Sequence, residues 1–440
     1  METIKPKPLS SLIFIPLLAL IFIRPFFSGL AYPVFEFYYE ICVISLAIII
    51  LLTPSPFPLP KGERIFSLFS PLPLGERVRV RGSYNLPIFL LLSAYIISTI
   101  TSVNTQNSIT ETIKFISYLS IFLIVSKVDE KQKNTIIKTL VIAGLIISLY
   151  SIYQYFFGYQ NTLDYLKKIN SPILLNSSYA KDILISKRSI GTFPSPNILA
   201  GYLLLILFLA LLLFERSREQ SAIKPQSLYI ILILFALILT KSLGAWLSLV
   251  ATLFILLFFK LAKQALQLQG KKCSRKACFA FYNFPYSKLI LILSLGFVAS
   301  VLIFILTTRC DRLTNLQNPQ NSITQRLNYW HTAIAVIKSH PIVGIGPGNF
   351  QEVFLKYKVG LSTNTRYAHN IFLHQWLETG ILGFIGIGLL ITLLIKKYIQ
   401  KPNYISLAGI GFILHNLIDN TYFIPEAGLL WWVIIAFALY

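Results

Sequence analysis

Along this chain, apolar runs close to the roughly 20 residues needed to cross a bilayer alternate with short polar connections. They centre on residues 10–28, 38–53, 86–103, 111–126, 135–157, 196–214, 227–241, 243–260, 288–306, 371–395, 404–419 and 426–440. The pattern predicts an all-α integral membrane protein with about 12 transmembrane helices. The seventh and eighth runs predict a tight hairpin at Lys241-Ser242-Leu243-Gly244.

Two long stretches interrupt this rhythm, 158–195 and 307–370, the second lying between helices 9 and 10. Within the second, Leu327, Trp330, Ile334 and Ile337 recur at helical spacing, with Arg326, Asn328 and Lys338 elsewhere on the wheel. That spacing predicts an amphipathic helix along the outer membrane surface, ended by Pro341. One connection looks foreign. "SPFPLPKGER" is echoed by "SPLPLGERVRVRG", so 54–85 reads as an inserted Pro-rich, basic, low-complexity loop. The remainder reads as one polytopic domain covering 1–440.

Composition agrees with the pattern. Hydrophobic residues make up 55% of the chain and charged residues only 13%, about half the charged share of a soluble domain. A net charge of +22 could point to nucleic acid, but its distribution excludes that reading. More than half of the 39 basic residues fall in alternate connections between apolar runs, where they set topology. With both termini cytoplasmic, every inner connection carries several, among them Lys61, Arg77, Lys131, Arg216, Lys271 and Lys396. The two long stretches then face the periplasm.

The N-terminus resembles a signal peptide, but Arg24-Pro25 interrupts the approach to a cleavage site, and an uncleaved first helix fits better. The four cysteines add little, since Cys273 and Cys278 are a C-x4-C pair without a nearby histidine.

Chemistry should lie in the outer segments. "AHNIFLHQWLETGILG", 368–383, opens an apolar run yet carries His369, His374 and Glu378. An ionised group at mid-bilayer costs roughly 2.5–3.5 kcal/mol even on lenient insertion scales. His374 and Glu378 share a helical face and can satisfy one another. His369 sits at the outer edge, preceded by Arg366. Gly380, Gly383, Gly386 and Gly388 would let a neighbouring helix approach closely. His415 and Asp419 form a similar i, i+4 pair, read as structural. In "KRSIGTFPSPNILAGYL", 187–203, Arg188 precedes a turn and Asn197 opens a span. On composition a plain capped helix start is the first reading there, and a phosphate at the helix N-terminus is the alternative. Gly344, Gly346 and Gly348 form G-x-G-x-G, either an anion-turned loop or an ordinary turn.

The outer face thus gathers Arg188, Arg326, Arg366 and one histidine, with no carboxylate cluster resembling a metal site. Guanidinium forks suit a diphosphate, and a histidine can take a proton from a hydroxyl near neutral pH. The implied chemistry is metal-independent transfer from a lipid diphosphate to a hydroxyl. A lipid-glycan transporter or flippase is the competing class. It would place ionisable groups mid-membrane on interrupted helices in related halves, a pattern this sequence does not show.

Three blocks, "RSIGTFPSPNILAGYL", "RLNYWHTAIAVIKSHPIVGIGPGNF" and "HNIFLHQWLETGILG", resemble in order those of the O-antigen ligase and polymerase superfamily of bacterial membrane glycosyltransferases. The resemblance implies an undecaprenyl-diphosphate-linked glycan donor and either lipid A-core or another glycan as acceptor, at the periplasmic face of the inner membrane. It implies that Arg188 and Arg326 bind the donor diphosphate and that His369 is the catalytic residue at the acceptor hydroxyl. Glu378 is implied to orient the helix or His374. Arg366 and Asn197 remain further candidates for the site. Ligation to lipid A-core is the first expectation and polymerisation the second, with no cofactor and surrounding lipids as the other partners. One departure is "KSLGAW" where family members often carry Ser-Arg-Gly; either Lys241 supplies the charge or the position is dispensable.

Overall fold

A computed structural model describes residues 9–29, 31–52, 85–169, 183–184, 186–217, 225–269, 315–319 and 321–440. Among these residues all regular structure is helical. The helices are α1 (Ser11–Ile23), α2 (Pro33–Leu52), α3 (Asn85–Ile100), α4 (Thr105–Val125), α5 (Glu130–Tyr153), α6 (Tyr159–Lys168), α7 (Pro196–Arg216) and α8 (Pro225–Leu239). They continue with α9 (Leu243–Gln269), α10 (Ser322–Ser339), α11 (Phe350–Tyr357), α12 (Ile371–Gln400), α13 (Tyr404–Asn416) and α14 (Pro425–Leu439).

Every predicted apolar run except 288–306 coincides with a helix. That run, residues 54–84 and Cys273, Cys278 and Cys310 lie outside the described residues. Six of the helical stretches are long and apolar enough to cross a bilayer: α2, α4, α5 with its continuation, α7, α9 and α12. The others are shorter. α1 has 13 residues and stops where Arg24-Pro25 begins a 3-10 turn, and α13 also has 13. Of the about 12 expected spans, six are thus present at full crossing length among the described residues, accompanied by shorter apolar helices. α5 also differs from its predicted end near residue 157, because it runs through a π turn at Gln154–Gly158 into α6. The first long outer stretch accordingly begins as helix.

Local signals explain the helix starts. Asp129 and Gln132 form a reciprocal capping box on α5. Ser195 caps α7 with Pro196 in the first turn. Asn370 caps α12, its Oδ1 accepting from Phe372 and Leu373 N–H groups at 3.0 Å. α7 is the centre of the bundle, buried without interruption from Ile198 to Ala210. Small residues allow the close approaches that packing between apolar helices requires: Gly144 faces Ile206, Gly411 faces Thr252, and Gly386 faces Leu91 of α3. Gly388, by contrast, faces open space.

Gly380 departs furthest from expectation, because it is a break in α12 met by a turn and not a contact with a neighbouring helix. Its φ of 67° and ψ of −168° interrupt the helix, and the 342–346 turn docks into the gap. Ile345 N–H donates to Leu377 O at 3.0 Å, Gly346 N–H to Glu378 O at 3.1 Å, and Ile381 N–H to Ile342 O at 3.1 Å. Gly344 N–H is taken by His340 O at 3.2 Å. The anion-loop alternative for this glycine run is therefore overturned at Gly344 and Gly346, whose N–H groups are already bonded within the protein.

A second, smaller core joins α10, α11 and the start of α12 through Tyr329, Val336, Phe350, Phe354 and Leu377. α10 ends one turn-residue before Pro341, as its sequence predicted. Its packed face differs from the predicted stripe. Tyr329, Ala333, Val336 and Ile337 are buried, whereas Leu327 and Ile334 face outward. At the opposite end of the bundle, Gln132 Nε2 donates to Leu9 O at 2.8 Å and Lys133 Nζ to Phe437 O at 3.1 Å. The first described helix thus begins, and the last one ends, at the same end of the bundle.

Candidate functional site

Arg188 is 5% exposed and lies in the connection leading into α7. Its Nε donates to Thr240 O at 3.1 Å and its Nη2 to Asn197 Oδ1 at 2.9 Å. Both acceptors are neutral oxygens, and together they orient the fork. Thr240 ends the α8–α9 hairpin, and the next residue grips the same segment. Lys241, at a left-handed φ of 50°, donates Nζ to Ser186 O at 2.7 Å.

Arg326 sits in the second turn of α10 and pairs with Asp419, Nη2 to Oδ2, at 3.1 Å. Asp419 follows α13 and is only 2% exposed. A buried carboxylate is costly unless paired and hydrogen-bonded, and this one also accepts the Asn420 N–H at 2.9 Å. Burial raises its pKa, but His415, Arg326 and His369 together outweigh burial and hold it below the usual carboxylate range. Arg326 Nε is buried without a hydrogen-bond partner.

His369 immediately precedes the α12 cap. Its φ of 54° is a left-handed conformation that non-glycine residues adopt only under constraint. The constraint is visible. Its ring stacks on Tyr329 at 5.6 Å between centroids, and its carbonyl accepts from Trp330 Nε1 at 3.4 Å. The Tyr329 hydroxyl is held in turn by Gln325 and by Thr363 at 2.8 Å. The imidazole Nδ1 is buried without a partner. Desolvation lowers its pKa to about 4 against a partial opposing pull from Asp419, with Arg326 and His374 adding to the depression. The ring is therefore neutral at ordinary pH.

These two neighbourhoods are connected. His415 Nε2 contacts Asn197 O at 3.1 Å, while Asn197 Oδ1 holds Arg188. Asp419 acts electrostatically on both His415 and His369. Asn370, beside His369, donates to Leu417 O at 2.9 Å. Arg188, Asn197, Arg326 and His369, taken from three distant parts of the chain, thus meet at one end of the bundle around the α13–α14 connection.

Arg366 belongs to a different cluster. It pairs with Glu111 of α4 at 2.8 Å, and Glu111 also pairs with Lys114. Lys114 Nζ reaches Phe423 O at 3.2 Å. Glu378 meets His374 at 3.3 Å, as their spacing predicts, and His374 Nδ1 accepts the Ala368 N–H at 3.3 Å. This second cluster braces the start of α12 against α4.

Sequence reasoning noted His415 and Asp419 as a pair but read them as structural, whereas they occupy the middle of the first cluster. The signal was present: an i, i+4 histidine and carboxylate at the end of an apolar run, the same arrangement that drew notice at His374 and Glu378. Tyr329 and Gln325 carried no such signal, because a tyrosine on an amphipathic helix reads as packing.

Two comparisons with known proteins bear on the family. A Haemophilus influenzae protein, described only as an uncharacterized protein, is 31% identical over 91 residues, which cover 20% of this chain and 23% of that relative. The similarity thus spans about a quarter of the relative's length. A family model described as O-antigen ligase matches residues 228–388, a region that contains Arg326, Arg366, His369 and Glu378 but neither Arg188 nor Asn197. Over residues 228–388, within an all-helical, multi-span architecture, this chain is thus similar to the O-antigen ligase family.

Proposed function

We propose that this protein transfers a glycan from undecaprenyl diphosphate to an acceptor hydroxyl at the periplasmic face of the bacterial inner membrane, with lipid A-core as the acceptor. The match of residues 228–388 to a family of membrane glycosyltransferase-like enzymes supports the class of reaction. The observation that carries the residue-level reading is Arg326 paired to Asp419 beside a neutral His369, with Arg188 joined to them through Asn197 and His415.

In this reading Arg188 and Arg326 bind the diphosphate through paired, charge-assisted hydrogen bonds. The acceptor oxygen attacks the anomeric carbon, and the bond from that carbon to the diphosphate oxygen breaks. His369 takes the hydroxyl proton as the new bond forms. Undecaprenyl diphosphate leaves with its charge spread over both arginines, and the anomeric configuration inverts. No metal is required in this scheme, because the cations that stabilise the leaving group are side chains. Asp419 keeps Arg326 in place and offsets part of the positive field at His369. Arg366 and Glu378 hold the helix that carries His369. Both termini and the 54–85 insertion are assigned to the cytoplasm, where the basic connections would lie.

The test is transfer by purified protein from an undecaprenyl-diphosphate-linked glycan to lipid A-core. His369→Ala should insert normally and lose transfer by about 100-fold or more; wild-type transfer would remove His369 from the mechanism. A strain lacking the gene separates the acceptors. Bare core with long glycan accumulating on undecaprenyl diphosphate means ligation, whereas core capped by a single repeat unit means polymerisation.

A further inference from the structure

Gln154 holds the backbone that follows Arg188. α5 passes into α6 through a five-residue π turn, Gln154–Gly158. A π turn inserts one residue into a helix and rotates the flanking side chains away from their regular directions, and such turns recur at functional sites. Here the rotation sorts neighbouring residues onto different surfaces. The Tyr155 ring lies 5.8 Å from Lys241 Nζ, and the Phe156 ring lies 6.4 Å from that of Phe235 on α8. Gln154 turns toward the segment that follows Arg188.

There its Oε1 accepts the Ile190 N–H at 3.2 Å and the Gly191 N–H at 2.9 Å. The same oxygen lies 3.0 Å from the Tyr159 hydroxyl. That hydroxyl reaches Arg188 O at 2.6 Å and accepts the Ile190 N–H at 3.1 Å. Ser189 Oγ donates to Ser151 O at 3.0 Å. Two consecutive backbone donors therefore converge on one side-chain oxygen, directly after the arginine. The segment needs such restraint, because Lys187 and Gly191 both sit at left-handed φ, 47° and 59°, a conformation that survives when surrounding contacts over-determine it.

We propose that Gln154 is a positioning residue for the donor diphosphate: by accepting from Ile190 and Gly191 it fixes the path of the 188–191 backbone and so the reach of the Arg188 fork. This rests on the reading of Arg188 as a diphosphate-binding residue. Gln154 itself touches neither the donor nor the reacting atoms. Its amide oxygen is the working group, since only an acceptor of that length can serve both N–H groups.

The experiment uses full-length protein in lipid nanodiscs, with undecaprenyl diphosphate as the binding probe and glycan transfer as the kinetic readout. Gln154→Met keeps the side-chain length and removes the acceptor. Gln154→Glu keeps the acceptor. Gln154→Met should weaken undecaprenyl diphosphate binding and raise the donor KM by about tenfold or more, with kcat changed much less. Gln154→Glu should restore both toward wild type. Adding Arg188→Ala to Gln154→Met should cost less than the product of the separate effects, because both act through one fork. Unchanged binding by Gln154→Met while Arg188→Ala binds poorly would overturn the role of Gln154 and leave Arg188 in place. Unchanged binding by Arg188→Ala would overturn the diphosphate reading and this proposal with it. Equal losses in Gln154→Met and Gln154→Glu, with kcat and thermal stability falling together, would also overturn it, since they mark a structural role only.

Discussion

Asp419 and Arg326, 93 positions apart in the chain, form an ion pair at 3.1 Å in which the carboxylate is 2% exposed. The pair ties α10, part of the smaller core, to the α13–α14 connection of the bundle, and His369 lies within the field of both charges. Removing one member of a buried pair leaves the other uncompensated.

Asp419→Asn should therefore leave the protein inserted and reduce transfer by about tenfold or more, as Arg326 loses its anchor. The Arg326→Ala and Asp419→Asn effects on transfer should not add. A coupling of about 1–3 kcal/mol in the double-mutant cycle is expected. Strict additivity in that cycle would mean that the two residues act separately.

The pH dependence should be displaced to the acid side. A general base at the ordinary histidine value would lose kcat/KM as pH falls through 6.5, but His369 is held near 4, and kcat/KM reports the free enzyme. The acid limb should appear near pH 4, with a flat profile above it, measured as kcat/KM for the donor. The same shift has a stability consequence. Below pH 6.5 the unfolded chain takes up the His369 proton before the folded protein does. This group therefore costs stability progressively from there down to about pH 4, and contributes no pH dependence above. An acid limb at 6.5 would show that burial does not depress the titrating group as it does His369 here.

Two glycines of α12 should respond oppositely to alanine. At Gly380 a Cβ would run into the Ile342 carbonyl, and the φ of 67° is unfavourable for any L side chain. Gly380→Ala should cost about 2 kcal/mol or more. Gly388→Ala meets nothing within 4 Å and should be neutral or stabilising by up to about 1 kcal/mol through helix propensity. Thermal unfolding in matched detergent compares them. Equal shifts would show that the break at Gly380 is not held by the 342–346 turn.

Much of the helix inventory is written in the apolar pattern, because a segment that crosses lipid must be continuously apolar over a length set by the bilayer. The starts of α5, α7 and α12 are equally local, each depending on a capping side chain within three residues of the first turn. The tight hairpin before Leu243 and the end of α10 near Pro341 were legible for the same reason. The failures were also local. A run of apolar residues does not reveal where a helix stops, so α1 and α13 came out shorter than their runs. Nor does it reveal the π turn that carries α5 into α6.

By itself the sequence determined that this is a helical chain with several apolar spans, which residues are chemically capable, and which ends of the spans carry them. The tertiary structure decided the grouping. It separated Arg366, paired to Glu111, from Arg188, Arg326 and His369, and it brought Asp419 and His415 into their midst. It also turned the glycine run at 344–348 into a plug for the break in α12. The physical reason is one of range. Hydropathy and capping act over a few residues and can be read along the chain. The partner of a buried charge or of an N–H group freed by a broken helix is chosen by packing between segments that the sequence keeps far apart.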